Sequence, residues 1–204
     1  AGQFSLANTL AVSRAARNLL LLGDPQQLPQ VTLGSHPQPV DESALGWLSA
    51  GEPVLPSELG YFLAASWRMH PELCAKVSAL SYDHQLFSAP AAGQRSLEGT
   101  PAGVSTALVE HRGNTVSSVE EAQAIAQLVR EHLGLMWSLG PGKPQRALEP
   151  ADILVVAAYN AQVNLVRDVL AAEGLEAAKV GTVDKFQGQE APVVLMTMAC
   201  SSAD

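Results

Sequence analysis

The run Ile153-Leu154-Val155-Val156-Ala157 is apolar at every position, and no other stretch constrains the fold as tightly. A strand with one wet face alternates apolar and polar residues. A strand with no polar position has both faces covered, as inside a parallel sheet flanked by helices. The residues that follow fit this reading. Positions 161–172 carry apolar side chains at helical spacing and stop before Gly174, and 179–183 and 193–198 read as two further strands. Alternating strand and helix define an α/β fold with a largely parallel sheet. In such sheets function gathers in loops at the carboxyl ends of the strands.

The remaining chain extends the pattern. Positions 4–17 read as a helix with Arg14 and Arg17 in its last turn, entered from Ala1-Gly2-Gln3 without a cap or a starting Met, which suggests a cut fragment. The apolar run 19–22, ending in Gly23-Asp24-Pro25, reads as a buried strand, and Asp41 is placed to cap a short helix through Ser49. Positions 51–60 are rich in Pro and Gly and read as a hinge, 61–64 as a strand, and Pro71 opens a helix toward Ala79. Positions 88–103 read as loop and 104–109 as a strand. Ser117-Ser118-Val119-Glu120 reads as a capping box opening a helix to Leu133, with Val119, Ala122, Ile125, Leu128 and Val129 facing the core. Positions 141–150 read as surface loop.

Composition narrows the function. The 204 residues, 47% of them hydrophobic, suffice for one large or two small domains. Twelve basic against twenty acidic residues leave a formal charge of −8, which excludes a polybasic coat on nucleic acid but not a local basic groove. Cys74 and Cys200 form no CxxC pair, so neither a disulfide framework nor a thiolate zinc site is indicated, and a reducing cytoplasm fits. No apolar run approaches the roughly 18–20 residues of a membrane span, so no membrane association is expected. The five histidines are scattered and no metal-ligand spacing occurs.

Three strings carry possible chemistry. Gly23-Asp24-Pro25-Gln26-Gln27-Leu28-Pro29 sets a carboxylate and two amides in a stiff turn; its bland reading is a structural loop. Trp67-Arg68 pairs a stacking surface with a guanidinium that suits phosphate, or else packing with a surface charge. Gly188 in Phe186-Gln187-Gly188-Gln189-Glu190 lets a backbone approach a ligand, or simply makes a flexible turn. His70 reads as structural.

Together, in this order and spacing, the strings resemble superfamily 1 helicases, in the branch of the RNA-surveillance and DNA-replication nuclease-helicases. GDPQQLPQV resembles helicase motif III, SWRMHPEL the "YRMHP" motif that opens the second RecA-like domain, and VGTVDKFQGQE motif V. Ala158-Tyr159-Asn160-Ala161-Gln162 is similar to the family's "PYxxQ", with Ala158 in place of Pro. The resemblance covers nearly the whole chain. It implies a RecA-like parallel sheet flanked by helices, truncated here, with 1–55 as the tail of the first RecA-like domain and 60–204 as the second.

The resemblance also assigns roles. Gln27 senses the γ-phosphate of ATP, with Asp24 in the same turn. Arg68 reaches that phosphate across the cleft as an arginine finger, Trp67 stacks near the adenine, and Glu190 and Gly188 lie near the ribose and phosphates. Tyr159, Gln162 and Thr182 match positions that face nucleic acid or couple the domains. ATP and Mg2+ are the implied cofactors and single-stranded DNA or RNA the partner, with a fused or associated nuclease and a DNA-repair role as further expectations. The chain contains no G-x-x-x-x-G-K-[ST] phosphate loop. It begins where the family's acidic pair of motif II should just have ended and stops before motif VI, so the segment alone is expected to be inactive. Two other classes stand beside this reading: a non-catalytic RecA-like module that binds nucleic acid or protein, and a different α/β enzyme. For the latter the sequence offers no G-x-S-x-G or H-E-x-x-H signature.

Overall fold

A computed structural model describes residues 2–28 and 34–201. Expectations for Pro29 at the end of the first string, and for the valine that follows it at position 31, lie outside the described residues. The chain divides into two compact units, Ala1–Ala89 and Pro90–Asp204.

In the first unit, helix α1 (Leu6–Ser13) starts at Ser5, whose Oγ accepts the Asn8 N–H at 3.2 Å. Helix α2 (Ala44–Ser49) starts at Ser43, whose Oγ accepts the Gly46 N–H at 2.9 Å. Each serine satisfies a donor that the helix cannot pair internally. The two caps are themselves joined by an antiparallel bridge between Ser5 and Ser43. Strand β1 (Ala65–Ser66), helix α3 (Pro71–Ser81) and strand β2 (Phe87–Ser88) form a minimal strand–helix–strand unit with the strands parallel, Ala65 opposite Phe87. Pro71 sits where its missing N–H costs nothing, and His70 Nδ1 caps the helix by accepting the Glu72 N–H at 3.3 Å.

In the second unit, strand β3 (Ser96–Leu97) leads, through a long irregular stretch, to helix α4 (Val119–His132). Strands β4 (Met136–Ser138) and β5 (Gln145–Ala147) complete an antiparallel sheet with β3, in the order β3-β4-β5. The core sheet follows. Strand β6 (Ile153–Ala157) is central, with β7 (Lys179–Gly181) and β8 (Val193–Thr197) parallel on either side. Helix α5 (Asn160–Ala172) connects β6 to β7, and the short helix α6 (Val183–Phe186) follows β7. The helices α4 and α5 pack together over the sheet. Ile125 and Val129 of α4, Val166 and Leu170 of α5, and Ile153 and Val155 of β6 share one buried cluster. Removing such side chains from water supplies about 1.5–3 kcal/mol each. The all-apolar run at 153–157 is therefore the doubly covered strand its composition predicts.

Several expectations are corrected. Residues 19–22 form no strand: Leu20 is 82% exposed, and no described strand pairs with them. An extended segment becomes a strand only when a neighbour completes its hydrogen-bond ladder. The same reason removes the strands expected at 61–64 and 104–109, where Leu108 is 93% exposed; the pairing expected at 61–64 occurs one step later, in β1. Helix α1 does have a cap, Ser5, and it ends before Arg14 and Arg17 can occupy its last turn. Ser43, not Asp41, caps α2.

The cap of α4 is Ser118, one residue later than the motif at Ser117 implied, with its Oγ accepting the Glu121 N–H at 3.1 Å. Val119 is consequently exposed and Leu128 half-buried, while Ala126 joins Ala122, Ile125 and Val129 inside. The loop expected at 141–150 contains β5, whose three exposed residues show no alternation to betray a strand.

Candidate functional site

The turn after Gly23 is organised by one carboxylate. Asp24 Oδ1 accepts the Gln26 backbone N–H at 3.0 Å, and Oδ2 accepts the Gln27 side-chain Nε2 at 3.0 Å. The same Oδ2 accepts the Tyr82 hydroxyl at 2.6 Å. This is a carboxylate-centred Asx turn, which a short acidic side chain makes readily. Gly2 closes the other side: a Cβ there would stand 2.2 Å from the Asp24 carbonyl oxygen, so only glycine allows the approach. Tyr82 stacks on Phe62 with ring centroids 5.9 Å apart. Burial first, then the hydrogen bond to Asp24 and its negative charge, push the Tyr82 phenol well above its ordinary range. Tyr82 therefore keeps its proton and donates it.

Trp67 and Arg68 leave β1 on a tight turn held from both ends. Ser66 Oγ accepts the Met69 N–H at 3.3 Å, and Ser88 Oγ donates to the Met69 carbonyl at 2.7 Å. Both side chains are exposed, at the carboxyl end of β1 and directly ahead of α3. Tyr82 is the C-cap of α3, so the Asp24–Gln27 turn is anchored on the far end of the helix that Trp67 and Arg68 precede. An open groove of about 530 Å3 on the same unit, bordered by Leu55, Tyr61, Phe62 and Gln85, is lined by none of the predicted site residues.

In the second unit the carboxyl edge of the parallel sheet gathers a different set. Tyr159 follows β6 as the half-exposed N-cap of α5, Thr182 follows β7 as the N-cap of α6, and Thr197 ends β8. Gln162 lies beneath them, fully buried. Its Oε1 accepts the Ser118 N–H at 2.7 Å, and its Nε2 donates to the Ser118 carbonyl at 3.2 Å and to Thr197 Oγ1 at 3.0 Å. The expectation that Gln162 faces nucleic acid is thus corrected. With every polar atom engaged inside the protein, it positions the edge and does not present itself at the surface. Gly188, at φ +81°, occupies the left-handed region that favours glycine. Glu190, exposed, stands three residues before β8, so the chain between Thr182 and Glu190 returns toward the amino edge of the sheet.

A second polar centre, absent from the sequence reading, adjoins Gln162. The Glu121 carboxylate accepts hydrogen bonds from Thr197 Oγ1, from the Met198 N–H at 2.9 Å and from the Ala199 N–H at 3.1 Å. Its Oε1 also meets His111 Nε2 at 2.9 Å, and His111 Nδ1 meets Ser201 Oγ at 2.8 Å. Burial pushes the Glu121 carboxyl up, but the donors of Thr197, Ala199, His111 and Met198 outweigh it and hold the group below the usual carboxylate range. Ala199, at φ 66°, is a left-handed non-glycine residue, a strain of the kind that persists only where surrounding bonds fix it. The signal for Glu121 in the sequence is slight: it is the third residue of a serine-capped helix, a position usually read as capping.

Among the described residues no group of three His, Cys, Asp or Glu side chains could hold a metal ion, and Asp24 already accepts three hydrogen bonds. The residues described here do not fit Mg2+ by themselves. The groups they present are the exposed Arg68 guanidinium, the Gln27 amide held by Asp24 and the exposed Trp67 indole.

These features define a RecA-like α/β segment, and comparison with known proteins gives it a family. A family model described as an AAA domain matches residues 52–204, so the chain belongs to that family, as a segment of the superfamily 1 helicase type. It is 28% identical to the DNA-binding protein SMUBP-2 of Rattus norvegicus, over 92% of this chain and 19% of that protein. It is 28% identical to the 5'-3' DNA helicase ZGRF1 of Mus musculus, over 94% of this chain and 10% of that protein. A shorter stretch, 47% of this chain, is 31% identical to the DNA replication ATP-dependent helicase/nuclease DNA2 of Mus musculus and covers 8% of it. The chain therefore spans less than a fifth of the length of these relatives. Among the described residues no helix is long and apolar enough to cross a membrane.

Proposed function

We propose that this chain is the motif III to motif V segment of an ATP-dependent helicase that couples ATP hydrolysis to translocation along single-stranded DNA or RNA. In this reading residues 1–55 end the first RecA-like domain and 60–204 form most of the second. The observation that carries it is the Asp24 turn, in which one carboxylate holds the Gln27 amide while a helix anchored on the same carboxylate begins beside Arg68. An amide –NH2 has two N–H donors; with one committed to Asp24, the other remains for a phosphate oxygen. Arg68 supplies the planar, permanently charged donor that stabilises negative charge on a transferring phosphoryl group.

The family resemblance further assigns Trp67 to the base and Glu190 and Gly188 to the ribose and phosphates. Tyr159 and Thr182, on the carboxyl edge of the sheet, face the nucleic-acid strand, with Gln162 holding that edge in place. ATP is the nucleotide, and Mg2+ is to be held by residues other than those described. The same reading places the parent protein in the cytoplasm and in DNA repair, with a nuclease domain fused or associated, in keeping with the helicase/nuclease named among the relatives. The experiment compares ATP hydrolysis by the 204-residue chain and by the parent protein, with and without single-stranded DNA. The chain alone is expected to show none and the parent a DNA-stimulated rate, because positioning of phosphates and metal supplies most phosphoryl-transfer catalysis. DNA-stimulated turnover by residues 1–204 alone overturns the reading.

A further inference from the structure

Tyr82 carries no role in the sequence motifs, yet it donates to the same Asp24 oxygen that holds Gln27. It is 58 positions from Asp24 in sequence. Its ring is fixed by stacking on Phe62, and its backbone N–H closes α3 onto the Ser78 carbonyl at 2.9 Å. The other end of α3 is equally fixed, by the His70 cap and by Ser66 and Ser88 on Met69. An eleven-residue helix is a rigid rod of about 16 Å, so whatever displaces one end displaces the other. A lone Gln27 side chain would have three torsions to order as charge develops on the transferring phosphoryl group; tied to a carboxylate that is tied to α3, it is ordered beforehand.

We propose that Tyr82 is a positioning residue whose hydroxyl, through Asp24, holds the Gln27 amide in the orientation from which it meets the nucleotide phosphate. The proposal rests on the helicase reading of Gln27 and Arg68. A purely packing role for Tyr82 would be met equally by phenylalanine, because the ring and its stack on Phe62 remain. The hydroxyl, and nothing else, distinguishes the two.

The test is Tyr82→Phe, with Gln27→Ala and Arg68→Ala alongside, in the parent protein. Tyr82→Phe is expected to lower kcat of nucleic-acid-stimulated ATP hydrolysis about tenfold, the equivalent of one hydrogen bond to a charged acceptor, with KM for ATP changed less than about twofold because ground-state binding is untouched. Adding Asp24→Asn to Tyr82→Phe should cost less than the two single losses combined, the mark of a shared interaction. In the 204-residue chain, amide exchange at Gln26 should quicken about tenfold in Tyr82→Phe by the same hydrogen-bond argument. Wild-type kcat in Tyr82→Phe, beside large losses in Gln27→Ala and Arg68→Ala, overturns the proposal and leaves the helicase reading standing. Full turnover in Gln27→Ala and Arg68→Ala overturns that reading, and this proposal with it, whereas unchanged exchange at Gln26 overturns the lock alone.

Discussion

Gln162 and Ser118 hold each other through two hydrogen bonds, the side-chain amide of one matched to the backbone N–H and carbonyl of the other at 2.7 and 3.2 Å across 44 positions of sequence. The amide thus acts as an extra residue of backbone, joining the start of α4 to the first turn of α5. Its remaining donor reaches Thr197 at the end of β8. Three elements meet on one buried side chain, and the edge that Tyr159 and Thr182 occupy is built over it.

Gln162→Ala should therefore destabilise the second unit by about 2–4 kcal/mol, since it leaves the buried Ser118 N–H unpaired as well as removing the bonds themselves, while the Ser118 carbonyl keeps the Ala122 N–H at 3.1 Å. Gln162→Glu should cost a similar amount, because it places a carboxylate against the Ser118 carbonyl. Urea unfolding, followed separately by signals from each unit, measures the effect; a midpoint unchanged in Gln162→Ala would remove this glutamine from the framework.

Glu121 predicts a pH dependence. Its folded-state pKa lies below the ordinary value of 4.5, so the native state favours the ionised form more than the unfolded chain does. The resulting stabilisation is complete above about pH 5 and is lost as the pH falls through the ordinary value toward the depressed one. Asp152, lowered chiefly by the hydrogen bond from Arg146, adds a loss of the same sign. Glu121→Gln should be less stable than the parent chain near neutral pH and should lose less stability on acidification. Unfolding free energies from pH 7 down to pH 3 give both slopes, and equal slopes would dissociate the carboxylate from acid stability.

What could be read from sequence, and what could not, follows from how local each interaction is. The run 153–157 and the helix after it announced themselves because burial on both faces and helical spacing are properties of neighbouring residues. The same logic failed at 19–22, where the apolar run belongs to none of the described sheets, and at 145–147, where a strand formed from exposed residues because β4 lay alongside. Asp24, Gln27, Trp67 and Arg68 were visible as motifs. The bonds that hold Asp24 and Gln162 were not: Tyr82 reaches Asp24 across 58 positions, and Ser118 and Thr197 reach Gln162 across 44 and 35, and no spacing rule links residues so far apart. Gln162 shows the converse, a residue recognised by its motif whose burial changes what it can do.

Arg68 carries the most direct prediction for the reaction. A cation that acts on charge developing in the transition state lowers the barrier more than it tightens ground-state binding. In the parent protein, Arg68→Ala should then reduce ATP turnover by roughly 10³–10⁵-fold, the range of arginine fingers, with the nucleotide dissociation constant changed far less. Arg68→Lys should rescue poorly, since the charge remains but the planar two-donor fork is lost. Gln27→Ala should act differently. Its amide brings no net charge, so the loss should fall on the degree to which single-stranded nucleic acid accelerates hydrolysis, with basal turnover less affected. Turnover rates and nucleotide affinities of the three variants, each with and without single-stranded DNA, separate these outcomes. Near-normal turnover in Arg68→Ala would reduce this residue to a surface charge at the start of α3.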